Sequence, residues 1–291
     1  MALLHLDFES QFLGANTDVN IIVPDKPREI SPAQFYQSGK KYRVLWLLHG
    51  TFGGYSDWVR KSNIELYACE HDIIVVMPGV GNSDYEAWNN FTLGYDSEKY
   101  IVEELMPLVY GWLPASNKRE DNFIAGLSMG GGGALKFALH YPQLFAKCAS
   151  LSYCPRDPAL MKDNLKALFD MDRSEVEKDE GDVMHMKLRY YNIMHRWDTF
   201  EDYEKNHYDI YNELIHAKDR KDLPAFLFTV GDKDPLMTES FHALKKKLDE
   251  IGFAAKWSED PGSHEWRVWE RDIQKAFVFF GFSDEMKGNA F

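Results

Sequence analysis

The sequence predicts an α/β three-layer sandwich on a mostly parallel sheet, with antiparallel N-terminal strands and a helical cap insertion. Three observations lead there. Four strand-like runs, "RVLWLLHG" (43–50), "IIVVMPG" (73–79), "NFIAG" (122–126) and "PAFLFTVG" (224–231), are almost continuously apolar and end in glycine. That is the pattern of strands buried on both faces, as in a parallel sheet. Amphipathic stretches near 56–69, 98–112, 130–140, 238–251 and 265–280 alternate with them, as parallel crossovers require. One segment, 155–222, breaks the rhythm with charge and rings instead of apolar runs.

Taken in order, the chain starts with period-two alternation. Leu4, Leu6, Phe8 and Phe12 fall on one parity, and Val19, Ile21 and Val23 repeat the pattern, so two half-buried strands should pair antiparallel. The four buried strands and their helices follow, and "FAAKWSE" (253–259) supplies the last strand. Residues 155–222 carry Phe169, Tyr190, Tyr191, Trp197, Phe200, Tyr203, Tyr208 and Tyr211. That segment is far longer than an ordinary connection and should hold structure of its own. It reads as a helical cap over the catalytic edge, against the alternative of a solvated helical excursion that touches no substrate. The whole chain, 1–291, is expected to form one domain bearing this insertion.

Composition narrows the function. With 46 acidic and 33 basic side chains the formal net charge is -13, which disfavours nucleic acid and anionic membranes. Neutral or cationic small molecules are the better partners. Cys69, Cys148 and Cys154 show neither CxxC nor metal-ligand spacing, so no disulfide framework is expected and a reducing cytoplasm is the simplest location. "MALLHLDFESQF" lacks the basic start of a signal peptide, and no apolar run reaches the roughly 18 residues of a membrane span. Whether copies of the chain associate as a homo-oligomer stays open.

The chemistry concentrates in "IAGLSMGGGGALKFALHYP" (124–142). A P-loop would need Lys and then Ser or Thr directly after its last glycine, but Ala134 follows the run and Lys136 comes later; no GxGxxG register fits either. GxSxG does fit, as Gly126, Leu127, Ser128, Met129 and Gly130, between a strand and a helix. This is the context of a nucleophile elbow, where glycines let strand and helix approach and the serine is left exposed. A chance GxSxG is expected about 0.1 times in such a chain, so it is the surroundings that carry the reading. At a helix N-terminus, unpaired amides and the helix dipole also favour an oxyanion.

A serine nucleophile needs a base and an orienting acid, in the chain order serine, acid, histidine for this kind of fold. After "AFLFTVG" comes "DKDPLM", where Asp232 and Asp234 both qualify by position; Asp234 is favoured because Pro235 holds the turn. "DPGSHEWRVW" then puts His264 ahead of the last helix. A second oxyanion donor should come from "LLHGTFGG", with the Thr51 amide joining that of Met129 and Phe52 as the fallback. His49 suits loop packing better than base chemistry. Neither His185, His195, His207 and His216 nor the KKK run at 245–247 makes a ligand or anion pattern, so no metal and no cofactor are expected.

With these blocks in place the chain resembles the esterase D group of α/β hydrolases, which includes S-formylglutathione hydrolases, tributyrin esterases and feruloyl or acetylxylan esterases. The bacterial tributyrin esterase branch is the nearest likeness. "WLLHGTFGGYSDW", "IIVVMPGVGNSDYEAW", "EELMPLV", "FIAGLSMGGGGALKFALHYPQLFA", "TVGDKDPLM" and "GSHEWRVW" occur in family order, with "GLSMGGGGAL" and "SHEW" the most specific. The resemblance implies an α/β-hydrolase fold with Ser128 as nucleophile, Asp234 as acid, His264 as base and amides at Thr51 and Met129. The expected activity is that of a serine carboxylesterase on short-chain acyl esters, acetyl to butyryl, or on feruloyl and acetyl esters of sugars. An acyltransferase on the same residues and a silent hydrolase-shaped binding protein are the competing readings. Trp88, Phe91 and Tyr95, with Trp58 and Trp266 beside two site loops, are candidates to line the substrate pocket.

Overall fold

Period-two alternation at the N-terminus becomes a hairpin. In the computed structural model, which describes residues 1–88 and 95–283, β1 (Ala2–Ser10) and β2 (Ala15–Val23) pair antiparallel from Ala2 opposite Val23 to Ser10 opposite Ala15. Leu4, Leu6 and Phe8 turn toward the core while the odd positions of β1 face solvent. A short helix α1 (Pro32–Tyr36) follows, its first turn closed by reciprocal bonds between Ser31 and Gln34. It has no apolar periodicity and was not expected.

The apolar runs become the sheet centre. Strands β3 (Val44–Leu48), β4 (Ile74–Pro78), β7 (Asn122–Leu127), β8 (Lys147–Leu151), β9 (Ala225–Gly231) and β10 (Lys256–Asp260) are mutually parallel, and the order across the sheet is β1-β2-β4-β3-β7-β8-β9-β10. Between β4 and β7 the two-residue strands β5 (Ala87–Trp88) and β6 (Tyr95–Asp96) form a separate ladder. Only β2 opposes its neighbours on both sides. Continuous burial arises because alternate residues enter different layers: Val44, Trp46 and Leu48 join one core cluster, Leu45 and Leu47 the other.

Crossover helices cover both faces. The predicted helix 56–69 is two, α2 (Asp57–Lys61) and α3 (Ile64–His71), interrupted at Ser62 and Asn63. A turn α4 (Ser97–Lys99) runs through a π-helical stretch, Tyr100–Leu105, into α5 (Met106–Trp112). Helix α6 (Met129–His140) leaves β7 directly and is buried almost throughout. Residues 155–222 are helical, with α7 (Lys162–Phe169), α8 (Arg173–Glu177), α9 (Met186–Met194), α10 (Phe200–Asn206) and α11 (Ile210–His216). They enclose a third apolar cluster around Leu168, Val176, Tyr191, Met194, Phe200 and Tyr203. Helices α12 (Thr238–Ile251) and α13 (Trp266–Phe280) complete the layers. Among the described residues, no helix is long and apolar enough to cross a membrane.

Candidate active site

Three loops at the carboxyl ends of parallel strands meet over the sheet, where open α/β sheets bind ligands. At the first, Ser128 links β7 to α6 with φ 51° and ψ -121°, a strained conformation costing about 1–3 kcal/mol for a residue with a Cβ. The surroundings hold it there. Its amide donates to Leu151 O at 2.8 Å, and its carbonyl accepts from Gly131 N at 2.8 Å. A methyl at Gly126 would run into the Gly130 carbonyl, and one at Gly130 would lie 2.6 Å from the carbonyl oxygens of Leu48 and His49. Beyond the elbow the glycines serve rings rather than the sheet: Gly132 faces Tyr153 and Gly133 faces Tyr85.

Ser128 Oγ lies 2.9 Å from His264 Nε2, and His264 Nδ1 lies 2.7 Å from Asp234 Oδ2. Asp234 is buried, and its Oδ1 accepts the amides of Leu236 and Met237 at 2.9 and 3.1 Å. One carboxylate oxygen is thus fixed by backbone and the other is left for the histidine. Asp232 does separate work: its Oδ1 accepts Gly262 N at 2.9 Å, while its amide donates to Asp260 O. These bonds pin the loop carrying His264 to the end of β9. The Trp269 ring packs perpendicular to that of His264, 5.1 Å away at 88°. No local sequence signal distinguished Trp269 from an ordinary core residue.

A fourth loop follows β3. His49 is buried; its Nε2 accepts Val80 N at 3.2 Å, leaving Nδ1 to donate to Gly50 O at 2.8 Å. Burial lowers its pKa, which keeps this ring a neutral loop brace. Phe52 also has positive φ, 59°, and its amide donates to Asn82 Oδ1 at 2.7 Å. That amide is therefore already engaged. Met129 begins α6, so its amide is among those that lack an intrahelical acceptor.

The predicted aromatic lining divides. Trp58 is a correction: it is 1% exposed, and its indole donates to Leu48 O at 3.1 Å behind β3. That leaves no face to offer a ligand. Trp266 packs edge-on against Trp58 and Trp269, one ring removed from His264. Trp88 donates to Ser83 O, and Tyr95 to Val80 O, so both are tied to the turn after β4. Tyr95 also lines a shallow cleft with Thr17, Tyr55 and Gly79. Phe91 lies outside the described residues.

Along most of its length the chain is similar to known esterases and serine hydrolases. The Esterase family, described as "Putative esterase", matches residues 10–280. An acetyl esterase of Caldicellulosiruptor saccharolyticus is 27% identical over 95% of this chain and 97% of its own length. A substrate-bound structure of the fluorophosphonate-binding serine hydrolase F of Staphylococcus aureus superposes with a TM-score of 0.73 at 27% identity, covering 96% of this chain and 98% of that one. An S-formylglutathione hydrolase from the same organism gives 0.71 at 27% identity over the same shares, 96% and 98%. The fold is that of the α/β hydrolases.

Proposed function

Because the chain belongs to the Esterase family, we propose that it hydrolyses short-chain acyl esters with Ser128 as nucleophile, His264 as general base and Asp234 as the orienting acid. The observation that carries this reading is the continuous run of hydrogen bonds from Ser128 Oγ through the imidazole to Asp234 Oδ2. As Ser128 attacks the ester carbonyl, its proton passes to His264 Nε2, and the imidazolium is stabilised by Asp234. The tetrahedral oxyanion is received by the amides of Met129 and Thr51. Collapse breaks the bond to the alcohol oxygen, which takes the proton from His264. Water then gives a proton to His264, attacks the acyl-enzyme and releases the acid while the proton returns to Ser128.

Acetyl to butyryl groups, including acetyl esters of sugars, are the proposed acyl range, supported by the acetyl esterase relative. The insertion is proposed to act as a cap, since Arg189 on α9 reaches Thr51 in the loop after β3. Ser128→Ala should lower kcat/KM for p-nitrophenyl acetate by about four orders of magnitude or more. Hydrolysis by that variant at the parental rate would sink the proposal. Within a p-nitrophenyl ester series, a preference for octanoate over butyrate would remove the short-chain part alone.

A further inference from the structure

Asp84 and Tyr85 both adopt left-handed backbone, with φ of 55° and 56°. For residues bearing a Cβ this costs about 1–2 kcal/mol each and persists only where neighbours enforce it. Tyr85 is fully buried, donates its hydroxyl to His49 O at 3.0 Å, and presses its ring against Gly133 of α6. Asp84 reaches the insertion instead. Its two carboxylate oxygens accept from Arg189 on α9, Nε to Oδ2 at 2.7 Å and Nη2 to Oδ1. The remaining nitrogen, Nη1, donates to Thr51 Oγ1 at 3.2 Å and lies 3.4 Å from Met186 Sδ.

Arg189 is 2% exposed, and each of its guanidinium nitrogens has a partner inside the protein. A planar five-donor fork can grip a carboxylate with two nitrogens and point a third elsewhere, which an ammonium cannot do with the same rigidity. Replacing a buried ion pair by apolar side chains is often neutral for stability or better, so net stability does not account for the pair. Orientation does. Thr51 is the residue where the two requirements meet, its hydroxyl held by the insertion while the residue before it, Gly50, packs closely on Leu127 and Ser128 of the elbow. Elsewhere in that loop, the Phe52 amide is held by Asn82 and the Gly53 amide by Gly50 O at 3.1 Å.

We propose that Arg189 is a positioning residue: clamped by Asp84, it fixes the Thr51 loop and makes oxyanion stabilisation depend on docking of the insertion. The catalytic part of this inference rests on the esterase reading above. Two readouts test it, amide hydrogen exchange across 50–53 and steady-state kinetics on p-nitrophenyl acetate. Arg189→Met should speed exchange in that loop and lower kcat about 10- to 100-fold while KM moves less than about twofold. Arg189→Lys, which keeps the charge but not the fork, should not restore kcat. Thr51→Val is nearly isosteric and leaves the Asp84–Arg189 pair intact, so it should reproduce the loss of kcat at a parental Tm. If Arg189→Met does not fold, Thr51→Val decides by the same two readouts. Unchanged exchange, a parental kcat, or a change confined to KM overturns the assignment. A parent protein without Ser128-dependent turnover would instead defeat the esterase reading, and the exchange measurement would still decide whether Arg189 holds the loop.

Discussion

Two carboxylates two residues apart, Asp232 and Asp234, both qualify by position in the sequence and have different surroundings. Asp234 combines burial, two backbone donors and His264, whereas Asp232 ties Gly262 to the end of β9. Asp234→Asn should therefore lower kcat by about 10⁴-fold through the wrong imidazole tautomer, with little change in Tm. Asp232→Ala should cost about 1 kcal/mol of stability for the lost hydrogen bond and far less activity; kinetics and thermal melts on both variants separate the roles, and equal kcat losses would refute the assignment. Glycine substitutions give a second contrast of the same kind. A methyl at Gly126 meets the Gly130 carbonyl, whereas one at Gly111 in α5 meets nothing within 4 Å. Gly126→Ala should destabilise by about 3 kcal/mol, and Gly111→Ala should stabilise by roughly 0.5–1 kcal/mol through the unfolded chain. Urea unfolding of the pair checks the opposite signs.

At the level of elements, α6 is anchored by charge in its interior as well as by glycines at its start. Lys136 Nζ lies 2.7 Å from Glu86 Oε2 and 2.6 Å from Glu98 Oε2, with all three groups largely buried. For Glu86, burial opposes ionisation, but the charge of Lys136 and the neighbouring His207 outweigh it and bring the carboxyl down to about 2. Burial likewise works against Glu98, and His140 and Lys136 bring it down to about 2 as well. Both folded values lie below the ordinary 4.5, so this stabilisation is present above that pH and is lost as pH falls toward 2. Lys136→Met strands two buried carboxylates, and should cost about 3–5 kcal/mol at neutral pH and move acid unfolding to higher pH. An unchanged acid midpoint would show that the cluster contributes nothing to this linkage.

These elements also show which parts of the structure a sequence can reveal. Ser128 and Asp234 each follow an apolar strand, and His264 follows the last strand just ahead of the final helix, so a local pattern exposes each one. Strand β8 escaped notice because "KCASL" offers one large apolar residue and is made a strand only by the ladders of β7 and β9 on either side. The Asp84–Arg189 pair spans 105 residues and belongs to no local motif. Trp58 looked like pocket lining from its place beside a site loop, but its indole is directed inward to Leu48 O. Proximity along the chain gives a residue's neighbourhood, whereas the face it presents depends on packing between elements.

Across the whole molecule, two kinds of core coexist. The sheet is covered on both faces by large apolar clusters running through every central strand, while the insertion keeps a smaller cluster of its own. Its last helix, α11, buries Tyr211 and Leu214 in the cluster of the sheet, whereas the part before it carries polar contacts to the hydrolase body, Arg189 to Asp84 and Thr51, with Arg196 and His207 each 3.8 Å from Glu86. That part, which has only the smaller apolar cluster, should open at lower free energy than the sheet. Its weakest point is the stretch between α8 and α9, where Lys178 is exposed, Val183 is 75% exposed and Met184 is 42% exposed. Brief trypsin treatment should therefore cut first at Lys178, before any site within the sheet strands themselves, and Arg189→Met should speed that first cut without altering the later ones. Simultaneous loss of both regions, as from a single global opening, would contradict this division and with it the idea that the insertion moves while the sheet stays folded.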